Sequence, residues 1–303
     1  MLVVAALGGN ALLRCGEDVT AENQRENVKK AVHALADIVR AGHRLVVTHG
    51  NGPQIGLLAL QNHAYDPDKT FPLDILGAET EGMIGYLLEQ ELENQLGEGF
   101  PVATVLTQIA VDPGDPAFEK PTKFIGPVYS KDEAEKLKDK HGWDIARDGD
   151  NWRRVVPSPE PKKIQDLKVL KILLEQQVIA ICIGGGGIPI VRQDDGTYTG
   201  VEAVIDKDAA SALLAEEVQA DALLLLTDVK AVYKDFDGPD EQAISQITVT
   251  EAEAFDAPAG SMGPKLAAAA RFARTGDFAA IGRLEDAPAM LAGSAGTRIV
   301  RGD

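Results

Sequence analysis

Apolar residues along this chain fall into two patterns, and the patterns alternate. Short unbroken runs cover Leu2 to Leu7, Leu45 to Thr48, Val102 to Thr107, Val178 to Ile183 and Ala222 to Leu226. Runs of that kind predict strands buried on both faces. Between them, apolar positions recur at helical spacing. Residues 21 to 41 carry Val28, Val32, Leu35 and Val39 on one face, with Gly42 as a stop. Residues 74 to 96, 162 to 176, 209 to 218, 250 to 256, 266 to 274 and 286 to 291 predict further helices. Phe278 to Ile281 and Thr297 to Val300 predict the closing strands. The expected class is therefore α/β with a mostly parallel sheet.

Three of these strands run directly into glycine, at Gly8-Gly9-Asn10, at His49-Gly50-Asn51-Gly52-Pro53 and at Gly184 to Gly187. In a parallel sheet the strand ends gather along one edge, and ligands bind in the crevice there. Glycine lets peptide N–H groups approach an anion that a Cβ would hold away. A plain turn between packed strands is the other reading of the four-glycine run. Pro53 suits the first turn of a helix. Beyond the four glycines, Asp195-Gly196 predicts a hairpin turn. The second arm ends in Asp206-Lys207-Asp208, where a helical pattern begins at once. A lysine between two carboxylates then stands at a helix N-terminus, whose positive dipole end favours anions.

Residues 112 to 161 break the pattern. They carry Pro113, Pro116, Pro121, Pro127, Pro157, Pro159 and Pro161, many charges, and both tryptophans, Trp143 and Trp152. The segment is too long for a plain loop. It predicts an inserted subdomain able to act as a lid, with Lys120 and Lys123 near its start. On sequence physics alone those two lysines read as ordinary solvated charges.

Lys and Arg number 30 against 47 Asp and Glu, a net charge of −17, which argues against nucleic acid or an anionic membrane as partner. Any anion site must gather its cations against that acidic background. Apolar residues make up 45% of the 303 and aromatics 5%, enough for a large and mainly aliphatic core. Cys15 and Cys182 form neither a metal-ligand spacing nor a disulfide framework, and read as small hydrophobes in a reducing compartment. No apolar run approaches the ~18 residues of a membrane span. The N-terminal LVVAAL is too short for a signal segment. A soluble cytoplasmic protein is expected.

Several chemistries have no signature here. There is no G-x-x-x-x-G-K-[ST], no G-x-G-x-x-G spacing, no G-x-S-x-G and no H-E-x-x-H. His33, His43, His63 and His141 are scattered, while His49, inside a glycine junction, fits either a ligand contact or a packing role. What remains is glycine loops with isolated lysines, chiefly Lys207 and Lys265. That set suits phosphoryl transfer, where catalysis is mostly positioning and charge stabilisation. No general base stands out, and none is needed if the acceptor is already an anion.

At this point the chain resembles the amino acid kinase family and, within it, the carbamate kinases. The resemblance rests on LGGNALL at 7–13, HGNGPQIG at 49–56, VATVLTQIAVDP at 102–113, KPTKFIGP at 120–127 and VVPSPEP at 155–161. It continues in GGGGIPIV at 184–191, GVEAVIDKD at 200–208, LLTDVKAVY at 225–233 and GSMGPK at 260–265. It implies a three-layer α/β/α sandwich that forms a homodimer, and exchange of phosphate between ATP and carbamate, giving ADP and carbamoyl phosphate, with Mg²⁺. It implies a carbamate and phosphoryl half over about 1–200, a lid over 112–161 and a nucleotide half over 201–303. By matching position, Lys123, Lys207 and Lys265 would stabilise the transferring group, and Asp208 would orient the lysines. Gly8, Gly9, Asn10, Gly50 and Asn51 would hold the carbamate end, with Gly184, Gly185 and Gly186 close by. Thr227, Asp228, Tyr233 and Met262 would line the nucleotide pocket beside Lys207 and Lys265. No residue is implied as a metal ligand. Other family members carry a lysine just before the first glycines, where Ala5, Ala6 and Leu7 stand here, and the lid lysine takes its place. One departure is Phe124, where the pattern expects proline. Two rivals fit the same residues: an enzyme of this fold acting on another carboxylate or phosphate, and a non-catalytic anion sensor.

Overall fold

The computed structural model describes residues 1–13, 17–66, 68–236, 238–256 and 262–302, with the backbone alone of Asn10. Cys15, Gly260 and Ser261 and the Asn10 side chain lie outside the described residues. Among the described residues, eight strands form one sheet. Their order is Gln246–Thr248, Thr297–Val300, Phe278–Arg283, Ala222–Thr227, Leu2–Leu7, Arg44–His49, Ile179–Cys182 and Val102–Val105. Neighbours run parallel except where Thr297–Val300 meets Phe278–Arg283. The unbroken apolar runs are explained by what lies above and below. Along the first strand, Leu2, Val4 and Ala6 enter one core cluster. Val3, Ala5 and Leu7 enter the other.

Helices Leu167–Glu175, Lys207–Glu217 and Met262–Ala273 cover the first face, and Ala21–Arg40, Leu73–Leu96 and Ala287–Leu291 cover the second. The result is the mostly parallel α/β class that the alternation predicts, in the three-layer α/β/α arrangement that the family resemblance implies. The Ala21–Arg40 helix begins where the Thr20 side chain accepts from Asn23 N at 3.2 Å. It buries Val28, Val32, Leu35 and Val39 as their spacing requires. Burying each such side chain fully stabilises the fold by about 1.5–3 kcal/mol, so Leu35→Asp would unseat this helix. Cys182 is buried in the first core. No helix among the described residues is long and apolar enough to cross a membrane.

Two expectations need correction. The strand expected over Val102 to Thr107 ends at Val105 in the central sheet, and a separate strand, Gln108–Val111, enters a second sheet with Pro161–Ile164, Ile188–Arg192 and Tyr198–Gly200. The helix expected from residue 162 begins only at Leu167. Pro161 and Ile164 are buried while Lys162 and Lys163 are exposed, and the segment pairs with Gln108–Val111 instead. The Asp195-Gly196 turn does join Ile188–Arg192 to an antiparallel Tyr198–Gly200.

The inserted segment is a small α/β unit. Strands Lys123–Tyr129, Asn151–Val156 and Ile145–Asp148 form its sheet, in that order, with helix Lys131–His141 packed on it. Ser130 and Glu133 form a capping box at the helix start, and Gly142 ends it in the left-handed conformation. The unit docks on the body through Ile125 and Val156, which cluster with Ile55, Leu73 and Leu76. Gly56 and Gly126 let the two backbones touch, since a Cβ on Gly56 would overlap the Gly126 backbone.

Candidate functional site

Sheet register sets where the strands end. Leu7 pairs with both His49 and Leu226, and Thr227 pairs with Arg283. Val47 pairs with Ile181, which brings His49 level with Ile183. Gly8, Gly50 and Gly184 therefore leave the sheet side by side at its C-terminal edge. Gly8 N donates to Leu226 O at 2.9 Å and Gly50 N to Leu7 O at 3.1 Å. A Cβ on Gly50 would stand 3.2 Å from the Gly9 nitrogen and 3.7 Å from Lys207 Cδ. Gly9, Gly50 and the lysine stem thus meet with no side chain between them.

Lys207 opens the helix Lys207–Glu217, and Asp206 caps it, its Oδ1 accepting from Asp208 N at 2.9 Å and Ala209 N at 3.1 Å. The other Asp206 oxygen accepts from Lys123 Nζ at 2.6 Å. Lys207 Nζ donates to Asp208 Oδ1. Lys265 Nζ donates to Asp208 Oδ2 at 3.0 Å. Lys207, Asp208 and Lys265 are only 8%, 3% and 6% exposed. Lys123 and Asp206 are more open. Three ammonium groups from three parts of the chain thus share two carboxylates, which leaves the cluster one positive charge in excess. Burial opposes ionisation of Asp208, but Lys207 and Lys265 outweigh it and hold the carboxyl far below its ordinary range. Burial also draws the Lys207 ammonium below its usual range, against the pull of Asp208. Asp206 ends low because Lys123 more than offsets burial.

Gly184–Gly186 form one tight turn entered by Ile183 at φ 55°. Gly185 and Gly186 have φ of 66° and 95°. A Cβ on Gly185 would overlap the Asn51 side chain, and one on Gly186 the Ile205 carbonyl. Three N–H groups of the run are engaged inside the protein. Gly184 N donates to Glu81 Oε1 at 2.6 Å, Gly186 N to Ile183 O at 3.2 Å and Gly187 N to Gly184 O at 3.0 Å. Packing and positive φ are sufficient reasons for glycine here. The Asn51 side chain is also turned inward, donating to Thr80 Oγ1 at 2.8 Å.

His49 is fully buried, with Nδ1 3.1 Å from Gly50 O, and burial pushes its pKa down to about 4. It is therefore a neutral imidazole packed against Gly184, where a Cβ would overlap its ring, with Nε2 buried and unpaired. Glu81 is the group the sequence reading missed. It sits on the buried face of Leu73–Leu96 and accepts from Thr107 N at 3.1 Å as well as from Gly184 N. Burial pushes its carboxyl up to about 8, against the pull of those N–H groups. An acidic residue among the mainly apolar inward positions Leu73, Leu76, Ile84 and Leu88 was the available signal. Asp206 was visible beside Lys207, but its grip on Lys123 was not.

Thr227 ends the strand Ala222–Thr227 next to Gly8, and its hydroxyl donates to Asp228 Oδ1 at 3.0 Å. Met262 starts the helix that carries Lys265. Tyr233 lies apart in a two-stranded ribbon with Gln242–Ile244, its ring 5.8 Å from Phe236. Among the described residues, no hydrogen bond or ion pair of the lysine cluster reaches Tyr233. Lys120 is exposed, and Phe124 lies under the Arg153 guanidinium, 5.6 Å from its ring centre.

A site of glycine junctions and clustered lysines on a three-layer sandwich defines the class. The amino acid kinase family pattern matches residues 1–281, and the chain belongs to that family. Within the family it is similar to carbamate kinases. It is 54% identical over 302 residues to the carbamate kinase of Rhizobium meliloti (strain 1021), covering 99% of this chain and 93% of that protein. The carbamate kinase of Giardia lamblia bound to citric acid superposes with a TM-score of 0.94 at 39% identity, over 99% of this chain and 98% of that one. The same enzyme bound to AMP-PNP gives 0.90 at 40%, with the same coverage.

Proposed function

We propose that this chain is a carbamate kinase, catalysing ATP + carbamate ⇌ ADP + carbamoyl phosphate. One observation carries the reading. Lys123, Lys207 and Lys265 converge on Asp206 and Asp208 beside Gly9 and Gly50, at the strand ends of a chain similar throughout to enzymes of that name. In the forward direction a carbamate oxygen forms a bond to the γ-phosphorus. The bond from that phosphorus to the β–γ bridging oxygen breaks, and ADP leaves with the electron pair. Carbamate is already an anion, so no group need take a proton. Lys123, Lys207 and Lys265 meet the charge on the transferring oxygens. Asp208 stays ionised and orients Lys207 and Lys265; it is not a base.

On this reading Gly8, Gly9, Asn10, Gly50 and Asn51 surround the carbamate end, with Gly184, Gly185 and Gly186 beneath. Thr227, Asp228, Tyr233 and Met262 line the nucleotide end. Residues 1–200 supply mainly the first, 201–303 mainly the second, and 112–161 form the lid that delivers Lys123. Among the described residues, no three His, Cys, Asp or Glu side chains gather into a metal site. Asp206 and Asp208 are taken by lysines, so these residues do not make a protein cage for Mg²⁺. The ion would arrive on nucleotide phosphate oxygens and water, where it neutralises their charge. The protein would work as a cytoplasmic homodimer, mainly toward ATP, as in arginine fermentation.

The test is ATP formation from ADP, carbamoyl phosphate and Mg²⁺. We expect strong turnover that Lys207→Ala abolishes in a folded protein. No turnover, or turnover unchanged by the substitution, would overturn the reading.

A further inference from the structure

A cavity of about 370 Å³ lies between the inserted unit and the body, away from the lysine cluster. Arg154, Trp143 and His141 line it from the insert, and Phe71, Leu73 and Leu76 from the body. Its chemistry is not that of an ordinary packing defect. Arg154, half-buried, stacks over Trp143, 4.5 Å from the ring centre, and its guanidinium makes no hydrogen bond or ion pair among the described residues. Burial lowers its pKa, with the nearby Glu202 charge only partly offsetting this. His141 stacks on the same indole, Trp143, 4.6 Å between ring centres, and its Nδ1 is buried without a partner. A half-buried guanidinium without a partner and a buried, unpaired ring nitrogen, set beside an apolar wall, are suited to a ligand that pairs with them.

We propose that this cavity binds a small monocarboxylate carried on a flat apolar body. The carboxylate pairs with Arg154, whose planar fork fits two oxygens. The body lies against the Phe71, Leu73 and Leu76 wall, beside the Trp143 ring that Arg154 and His141 already cover. Glu202, Asp68 and Lys140 also line the cavity and, with Arg154, leave its lining without net charge, a poor match for a dianion such as phosphate. Glu202 is held in place by Leu73 N, which donates to it at 2.9 Å. A ligand seated here touches both the insert and the body, and so clamps one to the other.

The chain has two tryptophans, so Trp152→Phe leaves Trp143 as the only indole reporter. The probe is 3-phenylpropionate, titrated against Trp143 fluorescence. Inorganic phosphate and phenethylamine serve as the dianion and cation arms. We expect saturable quenching by 3-phenylpropionate alone. Arg154→Gln should weaken it roughly tenfold or more, the loss of one charge-assisted contact. Ala59→Phe, which fills the cavity from the body and keeps the Arg154 charge, should abolish it while cooperative unfolding is retained. Absence of saturable quenching would overturn the proposal. So would binding equal in the parent, Arg154→Gln and Ala59→Phe proteins, or tighter binding of phosphate or phenethylamine than of 3-phenylpropionate.

Discussion

Asp208 is the residue on which the cluster balances. It faces two ammonium groups and is almost wholly buried, so each partner covers part of its desolvation cost. Lys265→Ala leaves it still paired with Lys207. The expected stability loss is below the ~3–5 kcal/mol that orphaning a buried charge costs. Turnover should nevertheless fall about 10²–10³-fold, the usual consequence of removing one preorganised charge contact. Asp208→Asn does the reverse, leaving two buried ammonium groups with no carboxylate between them. It should destabilise the fold more than Lys265→Ala, and urea unfolding of the two variants checks that order. Equal stability would show that Asp208 is not what holds the lysines. Glu81 behaves differently, because burial raises its carboxyl from the ordinary 4.5 to about 8. Between those values the native state keeps a proton that the unfolded chain has lost. Its contribution is full below pH 4.5 and is lost as pH rises through about 8. Glu81→Gln cannot titrate, so the stability gap between parent and variant should shrink across that window. Thermal melts at a series of pH values read it directly; a constant gap would mean that Glu81 is ionised throughout.

At the scale of elements, glycines with the same letter do opposite work. Gly186 sits at φ 95° with no room for a Cβ beside the Ile205 carbonyl, which is backbone and cannot swing aside. Gly186→Ala should cost at least ~1–3 kcal/mol. Gly82 lies inside the helix Leu73–Leu96, and nothing stands within 4 Å of where its Cβ would be. Gly82→Ala should stabilise by about 0.5–1 kcal/mol. Chemical denaturation of the pair separates glycine that packing demands from glycine that it merely permits. The same contrast explains what the sequence could reveal. Strands buried on both faces announce themselves as apolar runs, and the central ones fall within a residue or two of their predicted ends. The insert's strands are half-exposed, one is interrupted by Pro127, and all carry Arg or Lys, so no apolar run marks them. Its helix did leave a signal, Ser130 followed three residues later by Glu133 with Gly142 at the far end, beneath the proline count. In the candidate site, Lys207 was legible because it adjoins its carboxylates in sequence. The Lys265–Asp208 and Lys123–Asp206 contacts span 57 and 83 residues, and spacing alone cannot close distances of that kind.

For the whole molecule, the question is what fixes the insert over the site. The body contributes two things, the apolar cluster of Ile55, Leu73 and Leu76 with Ile125 and Val156, and the backbone contact of Gly56 with Gly126. Gly126 is three residues from Lys123 on the same strand, Lys123–Tyr129. A methyl group at position 56 must therefore push that strand away, and with it the ammonium that now reaches Asp206. The Lys207–Asp208–Lys265 contacts involve neither glycine. Gly56→Ala should then lower turnover roughly tenfold or more through misplacement of one charge, while the buried part of the cluster stays intact. The direct check is a double-mutant cycle in the ATP-forming assay. If the lid acts through Lys123, Gly56→Ala should cost little further activity once Lys123→Ala is present, because the group being misplaced is already gone. If instead the two losses multiply, the insert shapes the site by another route, such as excluding water or closing the glycine edge, and Lys123 is not the reason it is docked where it is.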